Sequence, residues 1–415
     1  MVTIRDGPSR LTSGAPSMKR RAHIAMVSIP AHGHVNPSLE VLRELVARGH
    51  RVTYANDASF AEPIQQTGAE LVPSPSTLPR EGVADRQWPE DTIGQLEVFL
   101  KDAMEQLPRL RAAWEQDRPD LFLYDIAGYT ARILAENWGK PAIQLSPTFV
   151  AWEGYTEEMA PMMESLRAAP GGADYYRRFS EWLKACGVAQ TESTLFVGLP
   201  PRSLVLIPRA MQPNADRVDT RRFTFVGPCL DEQRIHQGTW SRPAHAKKVL
   251  LISLGSTFTN QPAFYRQCMA AFGDLPDWHV VLNIGRHVQR SELGEVPANF
   301  EVHSWLPQLS VLKQSEVFIT HSGMGSTQEA LWCGKPMLAV PQATDQFANA
   351  DRIVELGVGL RLDTQKATAA ALREAFQRLT TEPHFSERAA AIQRELRDEG
   401  GVKRAADLIE QALGG

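Results

Sequence analysis

Between residues 23 and 55 the chain runs through HIAMVSIP, a polar loop at 31–37, and SLEVLRELVAR at 38–48, then stops at Gly49 and resumes as RVTYA. Leu39, Leu42, Leu45 and Val46 fall on one helical face. Strand, loop, helix, stop and strand within about 30 residues make a βαβ unit, which demands parallel strands with a covering helix. Further strand patterns occur at 70–72, 120–124, 142–145, 204–207 and 224–226, with helical patterns at 92–115 and 129–138. A polar stretch follows, and the alternation then restarts. Strands are expected at 248–254, 279–284, 301–303, 317–320, 337–340 and 359–362, and a helix at 261–272. The expected fold class is α/β, with two Rossmann-like doubly wound domains facing across a cleft. The expected division is a disordered lead-in at 1–21, a domain at 22–226, a linker at 227–247, a domain at 248–396 and a final helix within 397–415. Ligands of such sheets sit beyond the carboxyl ends of the strands, so the site is expected in that cleft.

The 415 residues suffice for two such domains, and 44 basic against 48 acidic residues leave a net charge of −4. That balance gives no global footprint for nucleic acid. Cys186, Cys229, Cys268 and Cys333 lie far apart and form no CxxC pair, so they are expected as reduced, buried thiols. No apolar run reaches the roughly 18 residues of a membrane-spanning helix. The first residues are polar and lack the apolar core of a secretory signal, so a cytoplasmic chain is expected, with Met1 and Met18 as alternative starts.

The segment after the first strand reads Ala31-His32-Gly33-His34-Val35-Asn36-Pro37. It stands where a dinucleotide-binding chain carries GxGxxG, and the missing fingerprint disfavours an NAD dehydrogenase. A histidine at a strand's carboxyl end is suited to acid–base work near neutrality. It needs a partner to hold its tautomer, and Asp125, ending the apolar run 121–124, is the candidate for His34. The competing readings are a packed histidine and an aspartate that caps the next helix.

A second concentration of chemistry runs from Trp305 to Gln346. Trp305 offers a face for a nucleobase, or else core packing. His321-Ser322-Gly323-Met324-Gly325-Ser326-Thr327 joins a strand to a helix, and small residues there expose backbone N–H groups to an anion. His321 and Ser326 add side-chain donors. Glu329 beside such an anion site makes sense as an acceptor for two ribose hydroxyls. Asp345 and Gln346 end another strand and either meet sugar hydroxyls or cap a helix. Ser256, at the end of the 248–254 strand, offers a hydroxyl to a diphosphate.

Taken together, Trp305-x-Pro307-Gln308, His321-x-Gly323, Ser326-x-x-Glu329 and Asp345-Gln346 resemble the nucleotide-sugar signature of family 1 glycosyltransferases. The His32–Pro37 segment resembles their acceptor-side loop, and the likeness to bacterial macrolide glycosyltransferases spans nearly all of the chain from His23. The resemblance implies a GT-B fold, an N-terminal acceptor domain, a C-terminal donor domain and a last helix crossing back. It makes His34 the base and Asp125 its partner. It puts Trp305 and Gln308 at uracil and Glu329 at the ribose. His321, Ser326 and Ser256 would meet the diphosphate, with Gly323 and Gly325 in the same turn, and Asp345 and Gln346 the hexose. Plant members typically carry Trp-Asn where this chain has Met324-Gly325, so the plant-type sugar contacts there do not transfer.

The expected reaction is inverting transfer of glucose from UDP-glucose, with UDP-galactose the second donor, to a macrolide or a flat phenolic, without an obligatory metal. No cofactor is expected beyond the UDP-sugar co-substrate, no nucleic-acid partner, and a monomer or homodimer. Trp88, Phe99, Phe149 and Trp152 are candidate acceptor lining, or core. By analogy the role is antibiotic inactivation. An epimerase would need no acceptor pocket, and a non-catalytic binding protein would need neither His34 nor Asp125.

Overall fold

A computed structural model describes residues 21–79, 88–230 and 240–414. Nearly all of the expected lead-in and part of the expected linker lie outside the described residues.

The first half supplies β1 (His23–Val27), β2 (Arg51–Asn56), β3 (Glu70–Pro73), β4 (Leu121–Tyr124), β5 (Ala142–Ser146), β6 (Ser203–Val205) and β7 (Phe223–Phe225). Its helices are α1 (His32–Ala47), α2 (Ala61–Gln65), α3 (Thr92–Trp114), α4 (Tyr129–Trp138), α5 (Tyr155–Ala168), α6 (Gly172–Ala185) and α7 (Ser193–Gly198). The second half supplies β8 (Lys248–Ser253), β9 (Trp278–Asn283), β10 (Phe300–His303), β11 (Val317–Thr320), β12 (Met337–Ala339) and β13 (Gly359–Arg361). With them come α8 (Pro262–Phe272), α9 (Gln308–Gln314), α10 (Met324–Trp332), α11 (Gln346–Glu355), α12 (Ala369–Thr381), α13 (Pro383–Asp398) and α14 (Gly401–Leu413).

The strands form two sheets, ordered β3-β2-β1-β4-β5-β6-β7 and β10-β9-β8-β11-β12-β13. Every pairing between them is parallel. Helices on both faces explain why β1, β4 and β11 are buried along their whole length and read as continuous apolar runs. The strand order reverses between β1 and β4 in the first sheet and between β8 and β11 in the second. Val27 pairs with Tyr124 and Ser253 with Thr320, so the segments leaving these strands emerge side by side.

The structure corrects two expectations. Residues 31–37 are not a loop, because α1 already starts at His32 and holds Pro37 inside it. A proline near the start of a helix forfeits one bond to the carbonyl four residues back, which this helix tolerates because its later face is deeply buried. The described ends of the expected 227–247 linker, and Val226 just before it, are packed. Val226 and Cys229 share a core with α14, and Trp240 is buried, its Nε1–H donating to Glu301. Finally, Cys229 and Cys268 are buried thiols but Cys186 and Cys333 are only half-buried.

The last helix crosses to the first sheet. Ala405, Ala406 and Ile409 pack among Ile24, Leu42 and Leu45. Arg48 reaches Asp407 at 2.6 Å and Glu410 at 3.1 Å, and His50 meets Glu410 at 3.1 Å. The turn into it uses Gly400 and Gly401 with φ of +92° and +52°, a region that favours glycine.

Candidate active site

His34 lies in the first turn of α1 and Asp125 directly after β4, so the switch point of the first sheet brings them together. His34 Nδ1 is hydrogen-bonded to Asp125 Oδ2. The Asp125 side chain is 1% exposed and that of His34 25%. Asp125 Oδ1 accepts from the Ala127 N–H at 3.1 Å, which fixes the carboxylate from its other side. The helix-cap alternative fails, because Gly128 is the N-cap of α4 and has no side-chain bond. Burial alone would lower the His34 pKa, but the charge and hydrogen bond of Asp125, joined by the charge of Asp345, raise it overall. His32 is exposed and sets its ring edge-on to Phe60 at 5.1 Å, away from this pair.

The switch point of the second sheet carries His321. Its ring is held between two glycines: a Cβ on Gly255 would stand 2.5 Å from His321 Cε1, and one on Gly323 would collide with Nε2. Burial lowers the His321 pKa to about 4, with Asp345 and the Ser253 backbone pulling the other way. The ring is therefore neutral at pH 7, and its Nδ1 is buried without a partner among the described residues. Ser256 is exposed on the loop after β8. Gly323 is the N-cap of α10 and has no side-chain bond there. The following N–H groups of Gly325 and Ser326 belong to the first turn, where donors lack intrahelical acceptors.

Gln308 ties the motifs of α9 and α10 together. Its Nε2 donates to Ser326 Oγ at 3.0 Å and to Glu329 Oε2 at 2.7 Å. Burial raises the Glu329 pKa to about 6, although the bond from Gln308 opposes this. Trp305, three residues before Gln308, is 68% exposed, so its ring face is open rather than packed. Beside it, Ile284, Arg286, Arg290, Val302, His303 and Ser304 line a cavity of about 420 Å³.

Asp345 is exposed at the start of α11, following Thr344 with its φ of +52°. Its side chain does not cap the helix. Instead it accepts from Asn349 Nδ2 at 2.9 Å and Thr344 Oγ1 at 3.0 Å. Gln346 is 4% exposed, and its Oε1 accepts from the N–H groups of Gln342 and Ala343 at 2.8 and 3.1 Å. α1 also touches α10, so the two switch points share one cleft.

The aromatic candidates separate into two places. Trp88 and Phe99 form a tilted ring pair at 5.5 Å. Phe149 and Trp152 pack against a different core, with Val205, Ile207 and Met211. Sequence reasoning did not find Asn349, which braces Asp345, or Ala127, whose N–H holds Asp125; neither carries a motif of its own. Among the described residues, no group of three or more His, Cys, Asp or Glu side chains is placed to hold a metal ion. Nor is any helix among them long and apolar enough to cross a membrane.

Residues 266–403 match the family described as erythromycin biosynthesis protein CIII-like, C-terminal domain. An oleandomycin glycosyltransferase of Streptomyces antibioticus is 54% identical over 94% of this chain and 91% of its own length. An NDP-glycosyltransferase of Bacillus licheniformis is 36% identical over 94% of this chain and 98% of its own. Among solved structures, the glycotransferase of kitacinnamycin superposes with a TM-score of 0.89 at 56% identity, covering 95% of this chain and all (100%) of that one. A calicheamicin glycosyltransferase superposes with a TM-score of 0.84 at 34% identity, covering 95% and 99%.

Proposed function

This chain belongs to the family 1-type glycosyltransferases with a GT-B fold, and from that premise we propose that it transfers glucose from UDP-glucose to a hydroxyl of a macrolide or a similar hydrophobic natural product. The transfer inverts the anomeric centre and needs no obligatory metal. The observation that carries the proposal is the hydrogen-bonded His34–Asp125 pair at the switch point of the first sheet.

With Nδ1–H given to Asp125, His34 presents Nε2 to the acceptor hydroxyl. It takes that proton as the oxygen attacks the anomeric carbon, and Asp125 stabilises the imidazolium that forms. UDP departs from the other face. Its diphosphate charge is met by the N–H groups opening α10, by the Ser326 and Ser256 hydroxyls, and by neutral His321 as a donor. Trp305 stacks on the uracil with Gln308 beside it, and Glu329 accepts from the ribose hydroxyls. Asp345 and the Nε2 end of Gln346 hold hexose hydroxyls, which suits a fully hydroxylated sugar better than a deoxysugar.

The macrolide assignment is supported by the 54% identity to the oleandomycin glycosyltransferase of Streptomyces antibioticus. Glucosylation of an antibiotic hydroxyl would block the contacts that hydroxyl makes with its target, and so inactivate the drug. The test is mass spectrometry of purified protein with UDP-glucose and oleandomycin, beside a panel of flat phenols, each with and without EDTA. A product heavier by one anhydroglucose and insensitive to EDTA is expected. UDP binding with no glucoside of either class contradicts the proposal.

A further inference from the structure

Beneath the turn that carries His34 lies a set of buried hydroxyls that the proton transfer itself does not use. Tyr54, on β2, is fully buried. Its hydroxyl lies 2.7 Å from Ser28 Oγ, just past β1, and 3.2 Å from Ser38 Oγ in α1. Ser38 Oγ donates to the Val35 carbonyl at 2.8 Å. Asn56 Nδ2 donates to both the carbonyl and the hydroxyl oxygen of Ser28, each at 3.0 Å. The start of the β1–α1 connection, at Ser28, and the second turn of α1, at Ser38, are thereby tied to β2.

That connection needs outside support. The N-cap of α1 is Ala31, whose side chain accepts nothing. Gly33 is a poor helix former, and Pro37 has no N–H to bond the carbonyl of Gly33. The turn that must aim His34 is thus the weakest part of its own helix. A phenylalanine would fill the Tyr54 site equally well, so the hydroxyl is explained by its bonds. Burial raises the Tyr54 pKa, against the lowering effect of Ser28 and Ser38, and the charge of Asp125 adds to the rise. The group is a neutral phenol at any working pH, close enough to Asp125 to feel its charge.

We propose that Tyr54 is a positioning residue for the transfer: through Ser28 and Ser38 it fixes the first turn of α1 and so keeps His34 on Asp125. The inference rests on the reading of His34 as the base.

The test compares wild type, Tyr54→Phe and Ser38→Ala, using an aliphatic alcohol acceptor whose hydroxyl does not titrate in the working range. Thermal unfolding, kcat, KM for UDP-glucose and the pH profile of kcat/KM are read for each. Two carboxylates raise the His34 pKa, Asp125 through its hydrogen bond and charge and Asp345 through its charge. A turn that drifts from Asp125 loses the larger of these contributions. Tyr54→Phe should therefore cut kcat roughly 10- to 100-fold, the scale of a misplaced catalytic group. KM for UDP-glucose should hold, and the acidic limb should move to lower pH. Ser38→Ala, which leaves the Tyr54–Ser28 bond, should show the same pattern more weakly and carries the test if Tyr54→Phe does not fold. A folded Tyr54→Phe with wild-type kcat and an unmoved limb overturns the proposal, whatever its melting temperature. A His34→Ala arm separates the two failures, since full activity there removes the base assignment and not the support beneath it.

Discussion

His34 and Asp345 come from different sheets, yet the Asp345 carboxylate acts on the His34 imidazole and joins Asp125 in raising its pKa. A residue that the motif reading places at the hexose is therefore electrically coupled to the proposed base. The coupling makes geometric sense. The base must stand over the anomeric carbon, and whatever holds the hexose hydroxyls must stand beside it.

The first prediction concerns pH. The His34 pKa is raised above 6.5, and only the neutral ring accepts a proton. The profile of kcat/KM with an aliphatic acceptor should therefore fall as pH drops through an acidic limb lying above 6.5. Asp345→Asn should move that limb to lower pH and raise KM for UDP-glucose. Asp125→Asn should move it further and depress kcat severely. A limb that stays in place in both variants contradicts the assignment.

Trp305 gives a second prediction. Its ring is mostly exposed, so Trp305→Ala should leave the melting temperature close to wild type. Loss of base stacking should weaken UDP binding by about 1–3 kcal/mol, a scale taken from base–aromatic contacts. Calorimetry with UDP reads this directly, and an unchanged Kd would remove Trp305 from the nucleobase site.

Glu399 gives a prediction on stability. It sits between α13 and α14, where Oε1 accepts from the Arg209 N–H at 3.0 Å and Oε2 is buried with no hydrogen-bond partner among the described residues. Burial pushes its pKa up from 4.5 to about 7, against lowering by the Arg209 N–H and the charges of Arg404 and Arg209. The folded chain thus holds a proton that the unfolded chain releases near pH 4.5. The stability this brings is complete below that pH and is lost as pH rises through about 7. Glu399→Gln, neutral throughout, should gain stability over wild type between pH 5 and 8, reaching on the order of 1–3 kcal/mol. Denaturation at the two ends of that range checks the sign, and equal stabilities at pH 8 refute it.

Much of the scaffold is legible in the residues, because parallel strands buried on both faces leave apolar runs with sharp ends. The strand 317–320 and the helix 129–138 match β11 and α4 residue for residue. The start of α1 is not legible, since Gly33 and Pro37 read as loop residues and the bonds that hold the turn come from Tyr54 and Asn56 on another strand. The helices α5 to α7 also escape the pattern reading; α5 has no buried residue, so it shows no apolar face to find. At the site, the motifs locate Gln308, Ser326 and Glu329, which the fold joins. They say nothing of Asp345 acting on His34, or of Gln346 spending its Oε1 on the backbone, because both depend on how the loops close. The four aromatic candidates show the same limit, since exposed or half-buried rings carry no periodicity that separates a pocket wall from a core.

The central claim is that His34 moves the acceptor proton, and the most direct measurement is the turnover of His34→Ala beside its affinity for UDP. A positioned base contributes roughly 10²–10⁴-fold in rate, so glucoside formation on an aliphatic hydroxyl should fall by about that factor while the Kd for UDP stays at the wild-type value. Turnover equal to wild type in a variant that binds UDP normally would contradict the account.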